Sequence, residues 1–173
     1  MSKYKHYIIT AITLGAIGAG SAALISLTNL ITEKRIEENK IIKINTGLAK
    51  IFPKADEFSE PNMILEDTEY LQNYYEASAN DETLGYVFNA TGSNMYGKIT
   101  MLVGIDTNYE IGKIYLVSNE QSYAQTLVDY YVNPYNDKKV NINDVNCGAT
   151  YGAKLVRDMA QEAQSFAKEF FGA

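Results

Sequence analysis

The loop DVNCGAT, residues 144–150, runs directly into the most regular helical pattern of the chain. Backbone N–H groups in the first turn of a helix lack intrahelical acceptors and lie at the positive end of the helix dipole. An anion beside Thr150, such as a phosphate, would therefore be stabilised. Gly148 leaves space where a ligand or another backbone segment approaches closely. A second interpretation stays open, in which the Thr150 hydroxyl caps the helix.

The spacing Asp-x-x-Cys-Gly-Ala-Thr in this loop resembles the flavinylation motif Asp-x-x-(Ser/Thr)-Gly-Ala-(Thr/Ser) of the FMN-binding domain family. That family includes the G subunit of the Rnf electron-transport complex and the C subunit of the sodium-translocating NADH:quinone reductase. The resemblance implies that Thr150 carries FMN through a phosphoester bond, which a separate flavin transferase makes from FAD. Cys147 replaces the usual Ser or Thr, a change that conserves size and leaves the attachment residue in place.

The resemblance also implies roles for the residues around the attachment point. Asp144 and Gly148 are expected to serve recognition by the transferase. Three further residues are expected to shape the phosphate end of the site: Cys147, Ala149 and Tyr151.

A second loop departs from the family pattern. Near the flavin the family has His-x-Glu-Thr-Pro-Gly-Leu-Gly, whereas residues 118–125 here are SNEQSYAQ and retain only Glu120. The resemblance implies that Glu120 is a further residue of the cofactor site. The departure concerns contacts with the flavin ring rather than its attachment. Two roles stay open for Tyr123 in this loop: its ring stacks on the flavin, or it is an aromatic residue of the core.

Composition excludes several classes of function. The 173 residues suffice for one domain and an anchor, and 46% hydrophobic with 12% aromatic residues indicates a globular core. The formal net charge is −6, and the only charged residues before Glu33 are Lys3 and Lys5. The part of the chain from Glu33 onward is therefore acidic and unsuited to binding nucleic acid. With one cysteine, Cys147, and one histidine, His6, there is no zinc-ligand set and no Ser-His-Asp or Cys-His catalytic set.

Residues 7–32 contain no charged residue, which exceeds the roughly 20 residues that a helix needs to cross a bilayer. We therefore predict a single transmembrane helix. A cleaved signal peptide is the alternative, because Lys3 and Lys5 precede the apolar segment and AGSA at residues 19–22 resembles a cleavage site. The length of the segment favours the anchor. Small residues four apart, such as Gly15 and Ala19, would allow close packing against other membrane subunits.

A predicted amphipathic helix follows or continues the membrane helix and ends at Pro53. Its apolar residues recur at near-helical spacing: Ile36, Ile41, Ile44, Leu48, Ile51 and Phe52. The order Asn29, Thr32, Ile36 and then Phe-Pro at residues 52–53 is similar to that of Rnf G-type subunits. The resemblance implies a cytoplasmic N-terminus and a soluble domain on the extracytoplasmic side of the cell membrane.

The rest of the chain predicts an α+β fold with an antiparallel sheet and a C-terminal helix. Strands are expected near residues 70–75, 85–90, 98–105 and 111–117, with a loop at 54–67, a turn at 92–97, a short helix near 123–131 and a polar segment at 135–146. Residues from Leu155 to Phe171 form an apolar stripe that would pack on the sheet. The predicted organisation is an anchor at residues 1–35, a stem at 36–60 and an FMN-binding domain at 61–173.

Three functional hypotheses follow. The first is a covalently flavinylated electron-transfer subunit of a membrane-bound, ion-translocating complex of Rnf type, in which the redox chemistry belongs to the flavin. Its partners would be other membrane subunits and, during maturation, a flavin transferase. The alternatives are a flavin-free structural or assembly module on the same fold and a stand-alone extracellular flavin reductase.

Overall fold

The computed structural model describes residues 2–172 and, within its first helix, the side chains of residues 4–29, 32 and 35–51. Expectations about the side chains of Lys3, Glu33 and residues 30–31 lie outside this description. The chain divides into two compact units, Met1–Ile42 and Lys43–Ala173.

Helix α1 extends from Ser2 to Ile51. Its stretch Tyr4–Asn29 has 26 residues, a mean hydropathy of 2.0 and no buried part, so it is long and apolar enough to cross a membrane by length and composition. The helix ends just before Pro53, where a proline cannot donate the next helical hydrogen bond. The stem is therefore a continuation of the apolar helix rather than a separate element.

The second unit contains a six-stranded, curled antiparallel sheet. Its strands are β1 Glu57–Phe58, β2 Asn62–Met63, β3 Leu71–Ala79, β4 Glu82–Asn94, β5 Gly97–Asp106 and β6 Ile111–Asn119. The order is β1-β3-β4-β5-β6, and β2 also pairs with β3. Short connections join successive long strands, as an antiparallel meander requires, so the predicted α+β class is confirmed.

Alternating side chains along β4 and β5 pack into two separate hydrophobic clusters, one on each face of the sheet. On one face, Phe88, Met101 and Val103 pack with the C-terminal helix α4, Thr150–Phe171. On the other face, Val87 and Leu102 pack with residues at the end of α1. Because both of its faces are covered, β5 is buried without interruption from Ile99 to Ile105.

Helix α4 is amphipathic, as its sequence predicts. Its buried side is made mainly of small and aliphatic residues: Gly152, Ala153, Leu155, Val156, Met159, Ala160, Ala163 and Ala167. Glu162 accepts backbone hydrogen bonds from the N–H groups of Glu69 at 2.6 Å and Tyr70 at 2.9 Å. The helix is thereby joined to the start of β3 as well as packed on the sheet.

Two local predictions about the sheet differ from the structure. The predicted loop at 54–67 contains β1 and β2, which form only because the distant strand β3 offers them an edge. The predicted turn at 92–97 is confined to Met95 and Tyr96, because β4 continues through Gly92. A Cβ at Gly92 would lie 2.8 Å from Leu155 Cδ1, so this glycine permits close packing of α4 rather than a turn.

Helical structure after β6 extends further than predicted. It consists of α2 Ala124–Leu127, a π-helical turn Val128–Val132 and α3 Asn133–Asn136, and so passes the end of the short helix predicted near 123–131 and enters the polar segment at 135–146. Asn136 explains the extension, because its side chain bonds both backbone groups of Ile114 in β6 at 2.8 Å. This contact is tertiary and has no local sequence pattern.

Candidate functional site

The first turn of α4 forms one wall of a cavity of about 240 Å³. The β4–β5 turn and the loop that follows β6 form the other walls. The residues that line it are Tyr96, Gln121, Tyr123, Leu127, Gly148, Ala149, Thr150, Tyr151 and Gly152. The structure thus brings four of the seven predicted site residues together around one space: Gly148, Ala149, Thr150 and Tyr151.

Thr150 is the first residue of α4 and is half-buried on this cavity. Ala149 occupies the N-cap position, and no side chain caps the helix. The capping interpretation of Thr150 is therefore wrong. Among residues 2–172 no group forms a hydrogen bond with the Thr150 hydroxyl, which leaves this oxygen available for chemistry.

The backbone around Thr150 presents unused donors. The N–H of Ala153 donates to the Ala149 carbonyl at 3.0 Å as α4 begins, so the three preceding N–H groups have no acceptor within the helix. Gly148 has φ of +80°, a conformation that favours glycine. A Cβ there would meet only Thr126 Cγ2, at 3.5 Å, so backbone conformation rather than space requires the glycine.

Three tyrosine side chains line the cavity: Tyr96, Tyr123 and Tyr151. The rings of Tyr96 and Tyr151 have centroids 5.2 Å apart and are inclined by 41°. Tyr151 and Tyr123 are 57% and 58% exposed. The interpretation of Tyr123 as a core residue is therefore wrong, and its ring lies at the cavity where an aromatic ligand could stack. Lys154 adds a positive charge, with Nζ 5.9 Å from the Tyr151 ring centroid.

Gln121 is the buried polar residue of the cavity and is only 7% exposed. Its Nε2 donates to Asn94 Oδ1 at 3.1 Å and to the Gly97 carbonyl. Asn94 Nδ2 in turn donates to the Tyr151 carbonyl at 3.1 Å. One amide network therefore joins the loop after β6, the β4–β5 hairpin and the first turn of α4. Sequence reasoning missed Gln121, since its only signal was its place beside Glu120.

The other three predicted residues lie outside the cavity wall. Asp144 is exposed, and its N–H donates to the Asn141 carbonyl at 2.9 Å. Cys147 is half-buried and packs against the core beneath the loop. Glu120 is exposed, and its N–H donates to the Lys98 carbonyl at 2.9 Å.

Larger cavities occur elsewhere in the second unit. One of about 620 Å³ is lined by residues such as Asp106, Lys113 and Gln164, and none of the seven predicted site residues contributes to it. Within the described part of the chain, residues 2–172, no group of three or more His, Cys, Asp or Glu is placed to hold a metal ion.

The donor set around Thr150 fits a phosphorylated aromatic cofactor. A free hydroxyl supplies an oxygen for an ester, and unpaired N–H groups at a helix N-terminus suit a phosphate. Exposed tyrosine rings suit a planar ring system. The cavity volume of about 240 Å³ lies slightly below the ~300–1,000 Å³ usual for ligand pockets, so part of such a ligand would stay in solvent.

Fold and cavity together define an α+β protein with an apolar N-terminal helix and a cavity at the start of helix α4. Comparison with family models matches residues 1–50 to the RnfG N-terminal region. The chain therefore resembles the RnfG subunit, and the match supports an Rnf-type subunit in general, within a multi-subunit complex of membrane electron transport. Comparison with curated proteins gave no match.

Proposed function

We propose that this chain is a covalently flavinylated electron-transfer subunit of a membrane-bound, ion-translocating complex of Rnf type. The observation that carries the proposal is the Thr150 hydroxyl, which lines a cavity at the N-terminus of α4 and has no hydrogen-bond partner among the described residues. The match of residues 1–50 to the RnfG N-terminal region concerns a different part of the chain and supports the coarser part of the proposal, an Rnf-type subunit in general.

Attachment requires the Thr150 oxygen to attack the phosphorus of the FMN half of the donor and to displace the group bound on its other side. With FAD as donor, the bond from Thr150 Oγ1 to the phosphorus of the FMN half forms, and the bond from that phosphorus to AMP breaks. The hydroxyl proton leaves to solvent or to the departing AMP. The flavin transferase would supply the catalysis, so this chain needs only an accessible hydroxyl and a neighbouring helix N-terminus that stabilises the phosphodiester charge.

Once FMN is attached, the flavin supplies the one- and two-electron chemistry. The tyrosine rings at the cavity would limit its orientation, and the helix N-terminus would hold its phosphate. The apolar stretch Tyr4–Asn29 would keep the subunit at the membrane, with the second unit on the extracytoplasmic side. A covalent bond suits that location, since cofactor lost outside the cell is not replaced by mass action.

Mass spectrometry of the full chain, co-expressed with a flavin transferase, tests the proposal. We expect one adduct of FMN mass on the peptide that contains Thr150, absent from Thr150→Ala and retained in Thr150→Ser. Thr126→Ala is a matched control, because Thr126 lies beside the same loop but does not line the cavity. An adduct that persists in Thr150→Ala, or no adduct on the unmodified chain, contradicts the proposal.

A flavin-free assembly module is the second candidate. The specific observation in its favour is that Glu120, the one residue that the second loop retains from the family pattern, is exposed and outside the cavity. In-gel fluorescence of the purified chain separates the two candidates, because only a covalently bound flavin survives denaturation and fluoresces. Co-purification with multispan subunits would count against a stand-alone reductase.

A further inference from the structure

We propose that the open edge of β6 binds an extended, acidic segment of a partner protein, which adds a short strand to the sheet. The order β1-β3-β4-β5-β6 leaves β6 with a neighbouring strand on one side only. Beside its free edge lies a groove of about 450 Å³, bounded by the π-helical turn, α3 and the last turn of α1, which we call the β6 groove. It shares no residue with the cavity at Thr150, so this inference does not depend on FMN.

The first observation concerns the backbone groups on that edge. In an antiparallel ladder, successive residues direct their N–H and C=O groups alternately towards one neighbouring strand and the other. The N–H and C=O of Ile114 both bond the Asn136 side chain, at 2.8 Å, so they point away from β5. Two residues further on, the N–H and C=O of Leu116 point the same way and bond no described residue. Because Leu116 lines the β6 groove, it offers the groove one donor and one acceptor.

The second observation is that an amide group already pairs with this edge. The Asn136 carboxamide accepts from the Ile114 N–H and donates to the Ile114 C=O, as a peptide group of a neighbouring strand does. The Tyr135 hydroxyl donates to the Ile111 carbonyl at 3.0 Å. Side chains therefore cover the edge as far as Ile114 and leave Leu116 open. Open backbone groups on a sheet edge are the feature that extended peptides recognise when they add a strand.

The third observation is the charge of the β6 groove. Lys50 and Lys113 are exposed, line the groove and form no ion pair with a described carboxylate. Lys50 Nζ lies 5.2 Å from the centroid of the Tyr115 ring. Asp137 also lines the groove, but its carboxylate bonds Lys139 Nζ at 2.9 Å. The groove is therefore positive although the chain has a formal net charge of −6, and an acidic segment complements it.

The two faces of β6 determine the residue pattern of that segment. Leu116 and Val132 pack into one hydrophobic cluster, and both line the β6 groove. Tyr115 belongs to the cluster on the other face, on which strand alternation also places Lys113. A partner residue opposite Leu116 would therefore direct its side chain towards Val132 and should be apolar. The residues before and after it would face the lysines and should be acidic. A lipid headgroup would use the lysines but not the backbone groups of Leu116.

NMR titration of the full ¹⁵N-labelled chain in detergent micelles tests the proposal. The probe is a short peptide of alternating glutamate and valine with blocked termini. We expect it to shift the Leu116 amide resonance and to slow the exchange of that N–H with water, because the N–H gains an acceptor. Unchanged exchange of the Leu116 N–H at saturating peptide would contradict strand addition.

Two modified peptides separate strand addition from attraction by charge. N-methylation of the central valine removes the N–H that would donate to the Leu116 carbonyl, and should weaken binding about fivefold. N-methylation of an adjacent glutamate is the matched control, since its N–H would point to solvent and its loss should change binding little. Equal affinity of these two peptides would show that the β6 groove recognises only charge, as a lipid headgroup does, and would overturn the proposal.

Charge reversal tests the part played by the lysines. We expect Lys113→Glu to weaken binding of the unmodified peptide about fivefold to tenfold. Lys98→Glu is the matched control, because Lys98 is an exposed lysine of the same sheet but does not line the β6 groove. Equal affinity of the two variants would contradict charge complementarity at this edge. The peptide comparison uses the unmodified chain and so remains decisive if Lys113→Glu does not fold.

A second copy of this chain is the competing occupant. A shift of the Leu116 amide as the chain is concentrated without peptide would show self-association through β6, and would overturn the proposal of a separate partner. Failure of the proposed function has a different signature, since a chain without FMN by mass would remove that function and leave peptide binding at β6 unchanged.

Discussion

At the residue scale, the candidate site depends on the Thr150 hydroxyl, which forms no hydrogen bond with the described residues, and on the backbone conformation of Gly148. Thr150 is in the first turn of α4, where threonine often caps, yet Ala149 occupies the N-cap position and leaves the hydroxyl on the cavity. Gly148 makes this arrangement possible, because its φ of +80° turns the chain into the helix without a cap. The conformation of Gly148 therefore determines whether the Thr150 hydroxyl caps the helix or faces the cavity.

Substitution of Gly148 tests that conformational requirement. We expect Gly148→Ala to lower the free energy of unfolding by about 1–2 kcal/mol, because residues with a Cβ are strained in the left-handed region. Gly148→Asn should cost less, since asparagine tolerates that region. Urea unfolding measures both, and FMN loading by mass shows whether the loop geometry matters for modification. Equal stability of the Ala variant and the unmodified chain would contradict this explanation of the loop.

At the element scale, the site is formed by three segments far apart in sequence. Asn94 at the end of β4 bonds both Gln121 after β6 and the Tyr151 carbonyl in α4. A fourth segment, the π-helical turn, fixes the loop before α4. The hydroxyl of its fully buried Tyr131 donates a hydrogen bond to the Ile142 carbonyl. These contacts determine where the motif lies relative to the tyrosine rings.

Tyr131→Phe tests the contribution of the Tyr131–Ile142 hydrogen bond to stability and to the pH dependence of the free energy of unfolding. Burial raises the pKa of the Tyr131 phenol in the folded chain. Below about pH 10 the phenol is neutral in both states, and above it the unfolded chain ionises more readily, so stability falls as pH rises. We expect Tyr131→Phe to be about 1 kcal/mol less stable at pH 8, from the lost hydrogen bond, but to lose less stability between pH 10 and 11.

Urea unfolding at pH 8, 10 and 11 provides the measurement for this pair. Tyr130→Phe is the control, because Tyr130 is the exposed neighbour of Tyr131 and its change should be nearly neutral. Parallel loss of stability in Tyr131→Phe and the unmodified chain above pH 10 would show that Tyr131 does not contribute to alkaline sensitivity.

At the scale of the whole molecule, the chain combines an apolar helical segment with a compact α+β unit. Tyr4–Asn29 exposes large apolar side chains along its length, and no part of it is buried within the protein. Water disfavours so much exposed apolar surface, whereas a bilayer accommodates it. The same segment lies within the region that matches the RnfG N-terminal region.

A charge in the middle of that segment should weaken membrane association. We expect Ile17→Arg to make insertion less favourable by about 2.5–3.5 kcal/mol and to reduce the fraction retained by membranes after carbonate extraction. Ile41→Arg is the matched control, since Ile41 is similarly exposed but lies beyond the apolar stretch. N-terminal sequencing of the membrane-bound chain also separates the anchor from a cleaved signal peptide, because cleavage near Ala19 would remove Ile17.

The sequence by itself determined the features that local patterns carry. Four features depend only on residues close together in the chain and could therefore be predicted: the uncharged stretch, the period-two strands, the amphipathic α4 and the motif ending in Thr150. The family resemblance rested on the same local spacings, and the match over residues 1–50 supports it.

Only the tertiary structure decided which motif residues share a cavity and which neighbours complete it. Asp144 and Thr150 belong to one loop, yet only Thr150 lines the cavity. Gln121 had no sequence signal of its own, because its role depends on contacts with Asn94 and Gly97, more than 20 residues away. The physical reason is that a hydrogen-bond network between separate elements forms only after the sheet has brought them together.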